Sequence, residues 1–135
     1  MSDDIFLKII AGELPAHKVY EDEYTYAFLD ATPNNPGHTL VVPKERYKDI
    51  YEIPEEALSH VMNTVKKVAI AVKKATNADG INIAMNNEPA AGQLVFHAHI
   101  HVIPRFKDDG YKHWGKKDYK EGEAEKVAES IRAEI

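Results

Sequence analysis

Three histidines alternate with apolar residues in His97-Ala98-His99-Ile100-His101, and Val102-Ile103-Pro104 follows directly. Side chains of an extended chain point alternately to its two faces. The pattern therefore predicts a strand over 96–103, with the imidazoles on one face and Phe96, Ala98, Ile100 and Val102 on the other. The apolar face needs a core to bury it, so this strand is an interior element that keeps one face for polar work. Seven histidines occur in the chain, and three fall within these five positions.

Metal binding is one use for such a face, because neutral imidazole is a common ligand. On an extended strand, however, i and i+2 side chains stand ~6.6 Å apart and i and i+4 ~13 Å apart. Two neighbours can grip one ion, but three in a row cannot easily converge on it. The chain has no cysteine, and no carboxylate lies within the strand to complete a site. A merely solvated face explains one histidine well, but three in register poorly. Catalysis fits best. An imidazole with a pKa of about 6.5 is largely neutral at pH 7 and is a nucleophile, and crowding disfavours charging all three rings together.

The rest of the chain reads as one small α+β domain. Asp3 or Asp4 caps a short helix running to about Ala11, with Gly12 as its stop. Strands are expected at 17–21, 25–30, 38–43, 81–85 and 96–103, and the prolines, asparagines and glycine of 31–37 are loop chemistry. Pro54-Glu55-Glu56 opens the longest helix, whose apolar stripe Leu58, Val61, Met62, Val65, Val68, Ala69 and Val72 is core. Ala124, Val127, Ala128 and Ile131 mark a last amphipathic helix. These elements predict a five-stranded antiparallel sheet with a long helix and short terminal helices. A single domain is expected over 1–135, with 105–135 as a C-terminal tail and helix.

A net charge of −5 argues against nucleic-acid polymers, which call for a broad basic face. It leaves a single nucleotide open, because one phosphate needs only local donors. The absence of cysteine fits a reducing, cytoplasmic setting. No signal-peptide pattern and no apolar stretch of ~20 residues is seen, so no membrane association is expected. Lys44, Arg46 and Arg105 follow strand ends and read as solvated residues rather than charges that steer a substrate, and His17, His60 and His113 read as ordinary surface residues.

The His-apolar-His-apolar-His-apolar-apolar run resembles the signature of the histidine triad (HIT) family of nucleotide hydrolases and transferases. The resemblance extends to Asn86-Asn87-Glu88-Pro89-Ala90-Ala91-Gly92-Gln93, to Phe28-Leu29-Asp30, to Asn35-Pro36-Gly37-His38-Thr39-Leu40-Val41-Val42-Pro43-Lys44 and to Ile5–Pro15. It implies an α+β fold whose subunits pair their sheets in a two-fold homodimer. It also implies attack of His99 on the α-phosphate of a purine nucleotide, forming a nucleotidyl-histidine that water then hydrolyses. The substrates implied are adenosine phosphoramidates or related AMP-containing molecules. Dinucleoside polyphosphate hydrolysis and nucleotide binding without turnover are the alternatives.

Carried over residue by residue, the resemblance gives His101 the phosphate or leaving group, makes His97 an orienting partner, and makes His38 the fourth site histidine. Asp30 matches the acid that accepts from the ribose hydroxyls. Ile5, Phe6, Ile9 and Phe28 match the residues covering the purine, although each is equally an ordinary core residue. Asn86 and the Gly92-Gln93 backbone match phosphate donors. No cofactor is required, although magnesium can accompany a polyphosphate substrate. Two departures stand out. Leu94 occupies a position where many relatives carry a hydroxyl, and Asp4 and Leu7 stand where some relatives carry the cysteines of a structural zinc site, so no such zinc is expected.

Overall fold

The computed structural model describes residues 4–135. Its elements are α1 (Ile5–Ile10), β1 (Lys18–Glu21), β2 (Thr25–Leu29), β3 (Thr39–Pro43), α2 (Glu55–Thr76), β4 (Gly80–Ala84), a 3-10 turn (Pro89–Ala91), β5 (Ile100–Arg105) and α3 (Glu123–Ala133). The fold is α+β, with one antiparallel sheet of five strands in the order β1-β2-β3-β5-β4. Asp4 caps α1, its carboxylate accepting from the N–H groups of Phe6 and Leu7. The alternative cap, Asp3, lies outside the described residues.

Alternation along the strands sorts the core into two layers. Ala27, Val41, Ile100 and Val102 face α2 and pack with Val61, Val65, Val68 and Val72. Burying each of those helix valines is worth about 1.5–3 kcal/mol, and this fixes the helix to the sheet. Tyr26, Phe28, Leu40 and Val42 face the other way and pack against Phe6 of α1, with Ile9 and Ile10 alongside. Of the expected stripe on α2, Val61, Val65, Val68 and Val72 are buried, Leu58 and Ala69 are partly buried and Met62 is 43% exposed, while Thr64 joins the buried face by a 2.7 Å bond to Thr25.

One strand departs from the expectation. β5 begins at Ile100, not at Phe96, so His97 and His99 lie on a bent approach to the strand. The backbone there is claimed elsewhere: the Ala98 N–H donates to the Tyr47 carbonyl at 2.6 Å instead of joining the ladder. Arg105 ends β5, and Asp109 accepts from its guanidinium and from Asn35, so the packed unit continues through this turn. Beyond it, residues 111–135 are exposed apart from Ala128, which is half-buried. Among the described residues, no helix is long and apolar enough to cross a membrane.

Candidate active site

His38 enters the site from the N-terminal end of β3, where the chain makes a turn that only glycine fits. Gly37 has φ +103°, and a Cβ there would meet the Thr76 methyl at 2.7 Å. β3 and β5 pair with Leu40 opposite His101, which brings His38 Nε2 to 2.9 Å from His101 Nδ1. His99 and His101 have ring centroids 5.0 Å apart, and Phe6 stands edge-on to His99 at 5.0 Å. His97, His99 and His38 are buried, and His101 is half-buried.

Hydrogen bonding settles which nitrogen carries each proton. The His99 Nδ1–H donates to the His97 carbonyl at 2.7 Å, since a carbonyl only accepts. Its lone pair is therefore on Nε2. His38 Nδ1 accepts from the Asn34 N–H at 3.1 Å. A neutral His38 therefore has its proton on Nε2 and donates it to His101 Nδ1. His101 is then left with an N–H at Nε2, a buried group that has no hydrogen-bond partner among the described residues. An unpaired buried donor is costly unless a ligand oxygen completes it. His97 is held at both ring nitrogens, Nδ1 against Asp4 Oδ2 at 2.7 Å and Nε2 donating to the Pro43 carbonyl at 2.8 Å.

Burial keeps the rings of His38, His99 and His101 neutral. Desolvation is the main cause that lowers the pKa of His99, working against the hydrogen bond to the His97 carbonyl, which raises it. His101 is pushed down to about 4 by desolvation and then by His99 and His38. His38 is also lowered by desolvation, against the pull of Asp30. At neutral pH the site therefore presents a lone pair at His99 and an N–H at His101.

Asp30 lies beside the histidines, its Oδ2 3.6 Å from His38 Nε2 and its Oδ1 taken by the Thr32 N–H at 2.9 Å. Asp30, His38 and His101 are close enough together to hold a metal ion. The hydrogen bonds oppose it: a metal on His38 Nε2 would displace the proton there to Nδ1 and break the bond from Asn34.

The remaining expected site residues divide. Phe6 and Phe28 are each 3% exposed with rings edge-on at 5.5 Å, and Phe6 also stands edge-on to His97 and His99. Ile5 is exposed and Ile9 half-buried, and these are the two that present apolar surface. The Gly92 and Gln93 N–H groups close the turn, onto the carbonyls of Pro89 and Glu88. The Gln93 amide donates to Lys48 and Val95 and accepts from the Glu88 N–H. Gln93 therefore braces the loop. Among the described residues the Asn86 side chain makes no hydrogen bond, and a Cβ on Gly92 would come within 3.5 Å of its nitrogen. Leu94 projects outward, 87% exposed.

Sequence reasoning missed the partners of the basic residues. Lys44 pairs with Glu21, Arg46 with Asp4 and Arg105 with Asp109. Asp4 was legible as a helix cap, but nothing local shows that it meets a histidine 93 positions away.

Comparison with known proteins agrees with this geometry. The model of the HIT domain matches residues 11–108. An uncharacterised HIT-like protein of Methanocaldococcus jannaschii is 52% identical over 106 residues, covering 78% of this chain and 81% of that protein. The adenylylsulfatase HINT3 of Arabidopsis thaliana is 42% identical over 108 residues, covering 80% of this chain and 55% of that protein. The crystal structure of a Streptococcus mutans protein superposes with a TM-score of 0.94 at 43% identity, over 100% of this chain and 87% of that one.

Proposed function

The chain belongs to the HIT domain family, and from that membership we propose that it is a nucleotide phosphohydrolase acting at the α-phosphate of purine nucleoside phosphoramidates or related adenosine phosphates. The observation that carries this reading is the bond from His99 Nδ1–H to the His97 carbonyl, which leaves Nε2 as a neutral nucleophile. Its lone pair attacks phosphorus, and the bond to the leaving nitrogen breaks. The amine departs with that electron pair and a proton from solvent, while His101 Nε2–H donates a hydrogen bond to the phosphoryl or leaving group. Water then displaces neutral His99 and yields the nucleoside monophosphate. Splitting one displacement into two makes each easier. Asp30 Oδ2 is the acceptor for ribose hydroxyls, and Ile5 and Ile9 cover the base.

Adenosine 5′-phosphoramidate tests this directly. Wild type should release AMP and His99→Ala should not, with AMP binding nearly retained; normal turnover in the variant would remove His99 as nucleophile. A panel with adenosine 5′-phosphosulfate and dinucleoside polyphosphates, with and without magnesium, identifies the leaving group. The name of the Arabidopsis relative makes sulfate worth including. AMP binding without turnover of any of them would make the protein a binding module.

Two further features belong to this reading. A two-fold homodimer accounts for the exposed apolar residues Met62 and Ile70 of α2, Ile83 of the edge strand β4, and Ile131 of α3. A chain without cysteine suits the reducing cytoplasm.

A further inference from the structure

Asp4 divides its carboxylate between two tasks. Oδ1 accepts from the N–H groups of Phe6 at 2.8 Å and Leu7 at 3.1 Å, which caps α1. Oδ2 faces His97 Nδ1 at 2.7 Å and Arg46 Nε at 3.2 Å. A cap alone needs one oxygen and no burial, yet Asp4 is only 7% exposed and its partner His97 is 0% exposed. Because His97 Nε2 donates to the Pro43 carbonyl, the contact at Nδ1 is a hydrogen bond only if a further proton lies between Nδ1 and Oδ2. Arg46 adds a positively charged partner to the same oxygen. Burying a carboxylate is costly, and His97 and Arg46 help to offset it together with the N–H groups that Oδ1 accepts from.

The position of this pair matters because His97 sits on the bent segment before β5, outside the strand ladder. Its ring is anchored at both nitrogens, and the anchored ring holds the backbone whose carbonyl receives the His99 Nδ1–H. We propose that Asp4 is a positioning residue for His99. Through Oδ2 it locks the His97 ring, and the locked segment holds His99 in the tautomer that exposes Nε2. This rests on the reading of His99 as the nucleophile.

Asp4→Asn separates the two tasks. The amide oxygen still caps α1, while the amide nitrogen replaces the acceptor that His97 and Arg46 share. The expected result is a fall in kcat of about tenfold to a hundredfold, the scale of a misplaced reacting group. KM should stay within about twofold, since the base and ribose contacts are untouched. In long-range 1H–15N spectra of the unliganded protein, His99 should show one Nδ1-protonated tautomer in wild type and a mixture in the variant. Unchanged kcat with unchanged His99 ring signals overturns the proposal. If wild type turns over no substrate, it is the proposed function that fails, and the ring spectra still decide the role of Asp4. Should Asp4→Asn not fold, Asp4→Ser keeps a capping hydroxyl and is judged by the same two readouts.

Discussion

In the proposed mechanism His99 attacks as the neutral ring, so its protonation can be read from activity. Its protonated form is inactive, and burial lowers its pKa from the ordinary 6.5. The neutral, active form therefore persists into more acidic solution than a solvated histidine would allow. The acid limb of kcat/KM, which reports the free enzyme, should lie below pH 6.5. A limb at or above that pH would show that the desolvated geometry does not govern the reaction. The candidate nucleophile was legible through the family resemblance that the His97–His101 run carries. Its tautomer was not. That depends on a carbonyl two residues back turning toward the ring, which residue types alone do not specify. The role of Gln93 was hidden for a related reason: the same amide serves an anion or a loop, and only the three bonds around it decide.

At the scale of elements, His38 is placed by one turn. Gly37 combines φ +103° with a 2.7 Å approach of its missing Cβ to the Thr76 methyl. Gly37→Ala must strain the backbone and push α2 away from β3, so a loss of about 1–3 kcal/mol is expected in urea denaturation. Turnover should fall as well, because the turn delivers His38 to His101. Unchanged stability would mean that the turn can relax without cost. Most elements could be read in advance since their periodicity and punctuation agree. The short apolar runs Tyr26–Leu29 and Leu40–Val42, bounded by turn residues, mark strands, and the Pro54-Glu55-Glu56 start marks α2. The start of β5 could not. His97-Ala98-His99 alternates like a strand, but Tyr47, Pro43 and Asp4 compete for its hydrogen bonds from distant positions. Period 2 reports which face a side chain takes, and is silent on whether the backbone is paired.

At the scale of the whole molecule, the neutral histidines set how stability responds to acid. His38, His99 and His101 all have pKa values lowered by burial, His101 to about 4. In the unfolded chain each titrates near 6.5. As pH falls through 6.5 the unfolded chain takes up protons that the folded one refuses, so stability must fall. Each such group contributes a slope of at most about 1.4 kcal/mol per pH unit while it lies between its two pKa values. Carboxylates act with a later onset. Asp109, held far below the usual range by Arg105, stabilises the fold above the ordinary carboxylate pKa and loses that contribution only as pH drops further. The interval from pH 6.5 to 5 therefore isolates the histidines. Urea midpoints across that interval should drop steadily in wild type. His101→Gln removes the ring with the most depressed pKa, so its midpoints should fall less steeply, whatever its stability at pH 7.5. Parallel slopes would mean that His101 protonates as easily folded as unfolded, and that its buried, unpartnered Nε2–H is not the neutral donor the site requires.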